Sequence, residues 1–159
     1  QWISKLQQQY HLRFLVFQTG GGDDDRQLYQ ELGVGEDLVS QEDTLKVLAS
    51  SSFLIGMRYH SIVFAVQSQV PFLAFPYQPK VSAFLSDLGL SDCLAPFESL
   101  ESLVSGEGLQ DSIAQASSLR ERLRFLCERE SQKAKAYESF LNPEADSTVN
   151  PAGVRHQGF

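Results

Sequence analysis

Cysteine is scarce in this chain. Cys93 and Cys127 are the only two, far apart and without CxxC spacing. A reducing compartment is the simpler reading of so few thiols. No His/Cys/Asp cluster offers a metal site, and no cofactor is called for. Long apolar runs are missing too, since none approaches the ~20 residues that span a bilayer. No signal peptide is visible, and the first residue is Gln1, not methionine. Neither GxGxxG nor the Lys-Ser/Thr of a phosphate loop occurs. Positive charge is outnumbered, with a formal net charge of −7. That balance argues against nucleic acid as the main partner. The most informative absence is local: no Asp or Glu lies between Asp43 and Asp87.

That acid-free window holds Lys46, Arg58, His60 and Lys80. A basic island in an acidic chain points to an anion. Phosphate or carboxylate suits a planar arginine fork and a point-charge lysine. Residues 53–80 also carry the clearest fold signal. Phe53, Leu54 and Ile55 are an apolar run that stops at Gly56. Ile62 to Val66 continues as a helix-compatible segment that ends before Pro71. Phe72, Leu73, Ala74 and Phe75 form a second run, closed by Pro76 and Pro79 around Tyr77. This predicts a βαβ unit of a parallel sheet. Ligands of such sheets bind outside the carboxyl ends of the strands. Arg58 and His60 leave one strand end, and Lys80 follows the next. The N-terminus of the intervening helix adds N–H donors and the positive end of its dipole.

Each residue also has a plainer reading. Arg58 could be a surface arginine, His60 a structural histidine and Lys80 a solvated lysine. Tyr77 could line a pocket or form a Tyr–Pro packing pair. Met57 and Tyr59 flank the site as packing residues. Gly56 lets the backbone approach a ligand or a neighbouring strand.

Gly-Met-Arg-Tyr-His-Ser-Ile-Val-Phe-Ala, Val-Pro-Phe-Leu-Ala-Phe-Pro-Tyr-Gln-Pro-Lys-Val and the Phe-Leu and Leu-Gly pairs beyond resemble the polysaccharide pyruvyl transferase family, nearest its cell-wall (CsaB-type) branch. The likeness runs from about 52 to 90. Two positions depart. Tyr59 stands where the family has leucine between arginine and histidine. Gln78 stands where it has aspartate, so a carboxylate that would orient the lysine becomes an amide.

The remaining segments are read in order. Residues 1–11 are an amphipathic helix with Trp2, Ile3, Leu6 and Tyr10 on one face. Residues 13–18 are a buried strand. Thr19 and three glycines then form a loop. Asp23 to Asp25 cap a helix over 26–32. A phosphate loop or a metal site there is disfavoured, because three aspartates repel phosphate and consecutive carboxylates do not point together. The resemblance implies that polar residues after this strand face a domain cleft, with no single aspartate assigned. Leu38 and Val39 form a short strand. Ser40 and Asp43 resemble a capping box before a helix over 44–51. A helix over 81–88 buries Val81, Phe84, Leu85 and Leu88, and Gly89 ends it. Cys93, Leu94 and Pro96 read as a final strand and its exit. Leu100, Leu103 and Val104 mark a short helix ended by Gly106. Residues 109–141 are a long helical tract with Ile113, Ala116, Leu119, Leu123, Leu126 and Cys127 toward the core. Arg120, Arg122, Arg124 and Arg129 alternate there with glutamates as a solvated face. Residues 142–159 read as a mobile tail, His156 included.

The expected fold class is α/β, a Rossmann-like parallel sheet flanked by helices, over one domain at 1–141. The resemblance implies the C-terminal, donor-side half of a GT-B-like enzyme whose N-terminal domain is not in this chain. The isolated half is then expected to be inactive. The implied reaction moves a pyruvyl group from phosphoenolpyruvate to two hydroxyls of a cell-surface polysaccharide sugar, forming a cyclic ketal and releasing phosphate. Arg58 and Lys80 would bind the two anionic groups, Tyr59 and Tyr77 would line the pocket, and His60 would be the general acid. The acceptor could be lipid-linked, which places the enzyme in the cytoplasm near the inner face of the membrane. A nucleotide-sugar glycosyltransferase is the second reading. Its ribose-binding glutamate is disfavoured by the acid-free interval 44–86. A non-catalytic binding or assembly domain is the third.

Overall fold

Short apolar runs alternate with amphipathic segments, and each run becomes a strand that feeds a helix. The computed structural model describes residues 2–20, 24–34, 38–40, 42–96, 99 and 108–141, with side chains over 3–135 of these. Asp23, the helix expected around Leu100 to Val104 and the tail expected after 141 lie outside the described residues. The elements run α1 (Trp2–Gln9), β1 (Phe14–Leu15), α2 (Asp25–Glu31), β2 (Leu38–Val39), α3 (Thr44–Ala49), β3 (Leu54–Gly56), α4 (Tyr59–Gln67), β4 (Phe72–Ala74) and α5 (Pro79–Asp87). A 3-10 turn (Ser91–Cys93), α6 (Gly108–Ala114) and α7 (Ala116–Leu141) follow.

Among the described residues every strand pairing is parallel, as the βαβ reading predicts. β1 pairs with β2, and β3 pairs with β4 in the register Leu54–Phe72, Ile55–Leu73, Gly56–Ala74. The expectation of one sheet is corrected: the hydrogen bonds join the strands in two separate pairs. The predicted strand over 13–18 stops at Leu15 for a local reason. Val16 C=O accepts from Thr44 Oγ1, while the N–H groups of Phe17 and Gln18 donate to Asp25. Side chains have taken the backbone groups that a longer ladder would use. The final strand shrinks likewise to one bridge between Leu94 and Ala74, with Ala95 N–H donating to Ala74 C=O.

The main core lies between the strands and the helices. It joins Leu15 and Val39 to Leu48, to Ile62, Ala65 and Val66 of α4, to Phe72 and Ala74, and to Val81 and Leu85 of α5. Leu123 and Leu126 of α7 cover it. Each Leu, Ile, Val or Phe side chain of this set, fully buried, contributes about 1.5–3 kcal/mol relative to an exposed one. The face predicted for 81–88 is the one observed, with Val81 and Leu85 buried and Phe84 and Leu88 packed at its margin. Gly89 ends α5 at φ +70°, a conformation that glycine adopts without a Cβ penalty. Leu6 of α1 meets Leu109 of α6 in a second cluster.

The long tract is divided at Gln115 into α6 and α7. Its arginines are not all a solvated face. Arg122 holds Asp92 through both guanidinium Nη atoms (2.6 and 2.9 Å) and also donates to Gly89 C=O (3.1 Å), pinning α7 to the turn after α5. Arg124 pairs with Glu128 one helical turn on, as predicted, and Arg129 pairs with its chain neighbour Glu130.

Candidate functional site

β3 and β4 end side by side, so α4 and α5 both start on one rim. Close packing makes this possible. A Cβ on Gly56 would meet Ile62 Cδ1 at 2.7 Å and Ser61 Oγ at 2.9 Å. The glycine therefore serves the approach of α4 to β3, not that of a neighbouring strand. Arg58 is the N-cap of α4 and Gln78 that of α5, where Pro79 follows in the first turn. Neither N-cap side chain makes a capping bond, and neither helix has an acid in its first turn. Two helix starts thus face the rim with their positive ends uncompensated by local acids.

Arg58 lies in the acid-free window of the sequence, but the tertiary structure brings an acid to it from outside that window. Asp25, the first residue of α2, takes the guanidinium: Nε and Nη2 both lie 2.7 Å from its Oδ1. Gln18 Oε1 accepts from Nη1 at 2.6 Å. The other carboxylate oxygen of Asp25 accepts the N–H groups of Phe17 and Gln18 at 2.9 and 3.0 Å. Asp25 is 6% exposed, whereas the Arg58 side chain keeps 24% of its surface open. Nearby, Tyr29 is packed against Phe14 and donates to Leu15 C=O. Burial, and then the charge of Asp25, push its hydroxyl up to about 12. It stays a neutral donor.

The acids that were expected to cap α2 divide the work. Asp24 is the cap: it accepts from the N–H groups of Arg26 and Gly20 and pairs with the Arg26 guanidinium. These bonds hold its carboxyl well below the usual carboxylate range. Asp25 turns inward. Among the described residues, no group of three or more His, Cys, Asp or Glu is placed to hold a metal ion.

Tyr59 organises the other side of the rim. Lys80 Nζ sits 5.2 Å from its ring centre, at cation–π distance. The His60 ring meets it edge-on at 5.8 Å, and Phe84 does so at 5.5 Å. Tyr59 also packs against the main core, as expected of a packing residue. Met57 does not behave as predicted and is 38% exposed. His60 and Lys80 are exposed, and Tyr77 is half exposed. A shallow recess bounded by residues 7–12 contains none of these side chains.

Residues 2–79 match the family model described as polysaccharide pyruvyl transferase. Over these residues the chain belongs to the polysaccharide pyruvyl transferase family. No curated protein and no solved structure gives a significant match. The pyruvyl transferase match contains Arg58, Tyr59, His60 and Tyr77, and Lys80 follows it by one residue. It also contains Gln18 and Asp25, which the motif around Arg58 does not reveal. The family is one of transferases, with a polysaccharide as acceptor. Among the described residues, no helix is long and apolar enough to cross a membrane.

Proposed function

We propose that this pyruvyl transferase chain forms the donor-side domain of a GT-B-like enzyme that takes a pyruvyl group from phosphoenolpyruvate. The observation that carries the reading is the adjacency of the two helix starts. They bring Arg58, His60 and Lys80 to one rim, in and directly after the family segment. Phosphoenolpyruvate has a carboxylate and a phosphate, so it needs more than one cationic contact. Arg58 binds one group through its planar fork, and Lys80 binds the other as a point charge. The N–H groups at the starts of α4 and α5 add donors for the oxygens. Tyr59 and Tyr77 border the donor.

The chemistry then needs a proton. His60, exposed on the first turn of α4, is the general acid. Protonation of the methylene carbon turns the enol into a methyl-bearing, oxocarbenium-like centre. One sugar hydroxyl attacks that carbon and loses its proton. The C–O bond to phosphate breaks, and inorganic phosphate leaves. A second hydroxyl closes the ketal and loses its proton. The acceptor is a cell-surface polysaccharide sugar, which can be lipid-linked. The work is then done in the cytoplasm, near the inner face of the membrane.

Calorimetry of phosphoenolpyruvate against the full-length protein tests this, with a UDP-sugar as competitor. Wild-type binding that is lost in both Arg58→Ala and Lys80→Ala is the expected result. Binding of the UDP-sugar alone would move the assignment to glycosyl transfer. Binding of neither ligand would remove the donor site from this rim.

A further inference from the structure

Arg58 is not a solitary cation reaching into solvent. Its Nε and Nη2 meet one oxygen of Asp25, and its Nη1 meets Gln18. The second oxygen of Asp25 is tied to the backbone where β1 ends. The carboxylate is therefore fixed first, by two main-chain N–H groups, and the guanidinium is fixed against it. We propose that Asp25 is a positioning residue that sets the direction of the Arg58 fork toward the donor's anionic group. This rests on the phosphoenolpyruvate reading.

Two physical points favour positioning over simple stabilisation. A buried ion pair is weak evidence for stability, since apolar residues of similar volume often do as well. What the pair gives is geometry, because every guanidinium nitrogen has a named partner. Charge alone also predicts the opposite outcome to positioning. Asp25 cancels the charge of Arg58, so its removal makes the rim more positive and should tighten an anion. Positioning requires that removal weaken the anion, because the fork is no longer aimed.

The test measures phosphoenolpyruvate affinity of the full-length protein as wild type and as Asp25→Asn. Circular dichroism and a melting curve report the fold of each. Asp25→Asn is expected to weaken binding at least about tenfold. Equal or tighter binding in Asp25→Asn overturns the proposal. Gln18→Ala, a change at an exposed side chain, serves if Asp25→Asn does not fold. It is expected to weaken binding about threefold, and unchanged affinity overturns the proposal. The Arg58 Nε–H resonance reports the clamp without any donor. It should exchange slowly in the wild type, and rapid exchange there overturns the clamp. A wild-type protein with a protected Nε–H that binds no phosphoenolpyruvate overturns the donor assignment instead.

Discussion

The starts of α2 and α4 both come after parallel strands but carry opposite charge. α2 begins with Asp24 as a bonded cap and Asp25 in its first turn. Acids there complement the helix dipole and satisfy its first N–H groups. α4 begins with Arg58 as an N-cap that makes no side-chain capping bond, followed by Tyr59 and His60. By helix chemistry alone the first start is well made and the second is not. The two meet in space, because Asp25 leaves its own helix start and binds Arg58 at the other. One junction is finished internally, and the other keeps its donors and cations at the rim. The local capping rules are broken at the start of α4, the junction where the donor site is proposed.

Stability separates the cations of this comparison most sharply. Arg58→Ala leaves Asp25 buried without its counter-charge, so it should cost about 3 kcal/mol in urea unfolding. Lys80→Ala removes an exposed ammonium resting on Tyr59, and should cost no more than about 1 kcal/mol. Equal losses would mean that Asp25 does not depend on Arg58. Next in size is Gly56→Ala. The added Cβ must displace Ile62 and Ser61, which should destabilise by about 1–3 kcal/mol. Because the start of α4 moves with them, donor affinity should fall as well; a neutral Gly56→Ala would show that α4 tolerates displacement.

The smallest effect lies outside both junctions. Arg122 holds Asp92 below its ordinary carboxylate pKa. A lowered folded-state value means that the pair stabilises above the unfolded pKa, and that this is lost as pH falls through the folded one. Both side chains are substantially exposed, so Arg122→Ala should cost less than about 1 kcal/mol at pH 7. The gap between wild type and variant should begin to shrink on acidification below pH 4, and should close once the pH falls below the lowered folded-state pKa, where Asp92 is protonated in both. A gap that stays constant in urea titrations at both pH values would assign the effect to packing of the Arg122 stem.

Much of the rim was legible in the chain. Apolar runs broken by Gly56 and Pro71 marked β3, α4 and β4, and their order placed Arg58, His60 and Lys80 beyond strand ends. Strand lengths were less legible, because side chains such as Thr44 and Asp25 took up backbone groups from distant positions. The Asp25–Arg58 pair could not be read, since it joins residues separated by 33 positions. The one available sign was the run Asp23 to Asp25 in the loop beyond the first strand, with no single aspartate marked out. The Arg122–Asp92 tie was hidden for the same reason, behind a charge alternation that reads as solvated.

The sequence by itself determined the alternation of strands and helices, the burial of α5's apolar face and the run of basic residues in an acidic chain. These follow from periodicity and from residues adjacent in order. Only the tertiary structure decided which acid answers Arg58, which ring carries Lys80 and His60, and how the parallel strands divide into pairs. Those outcomes depend on ångström-scale approach between segments far apart in the chain, where a carboxylate or a ring from one segment meets a partner from another.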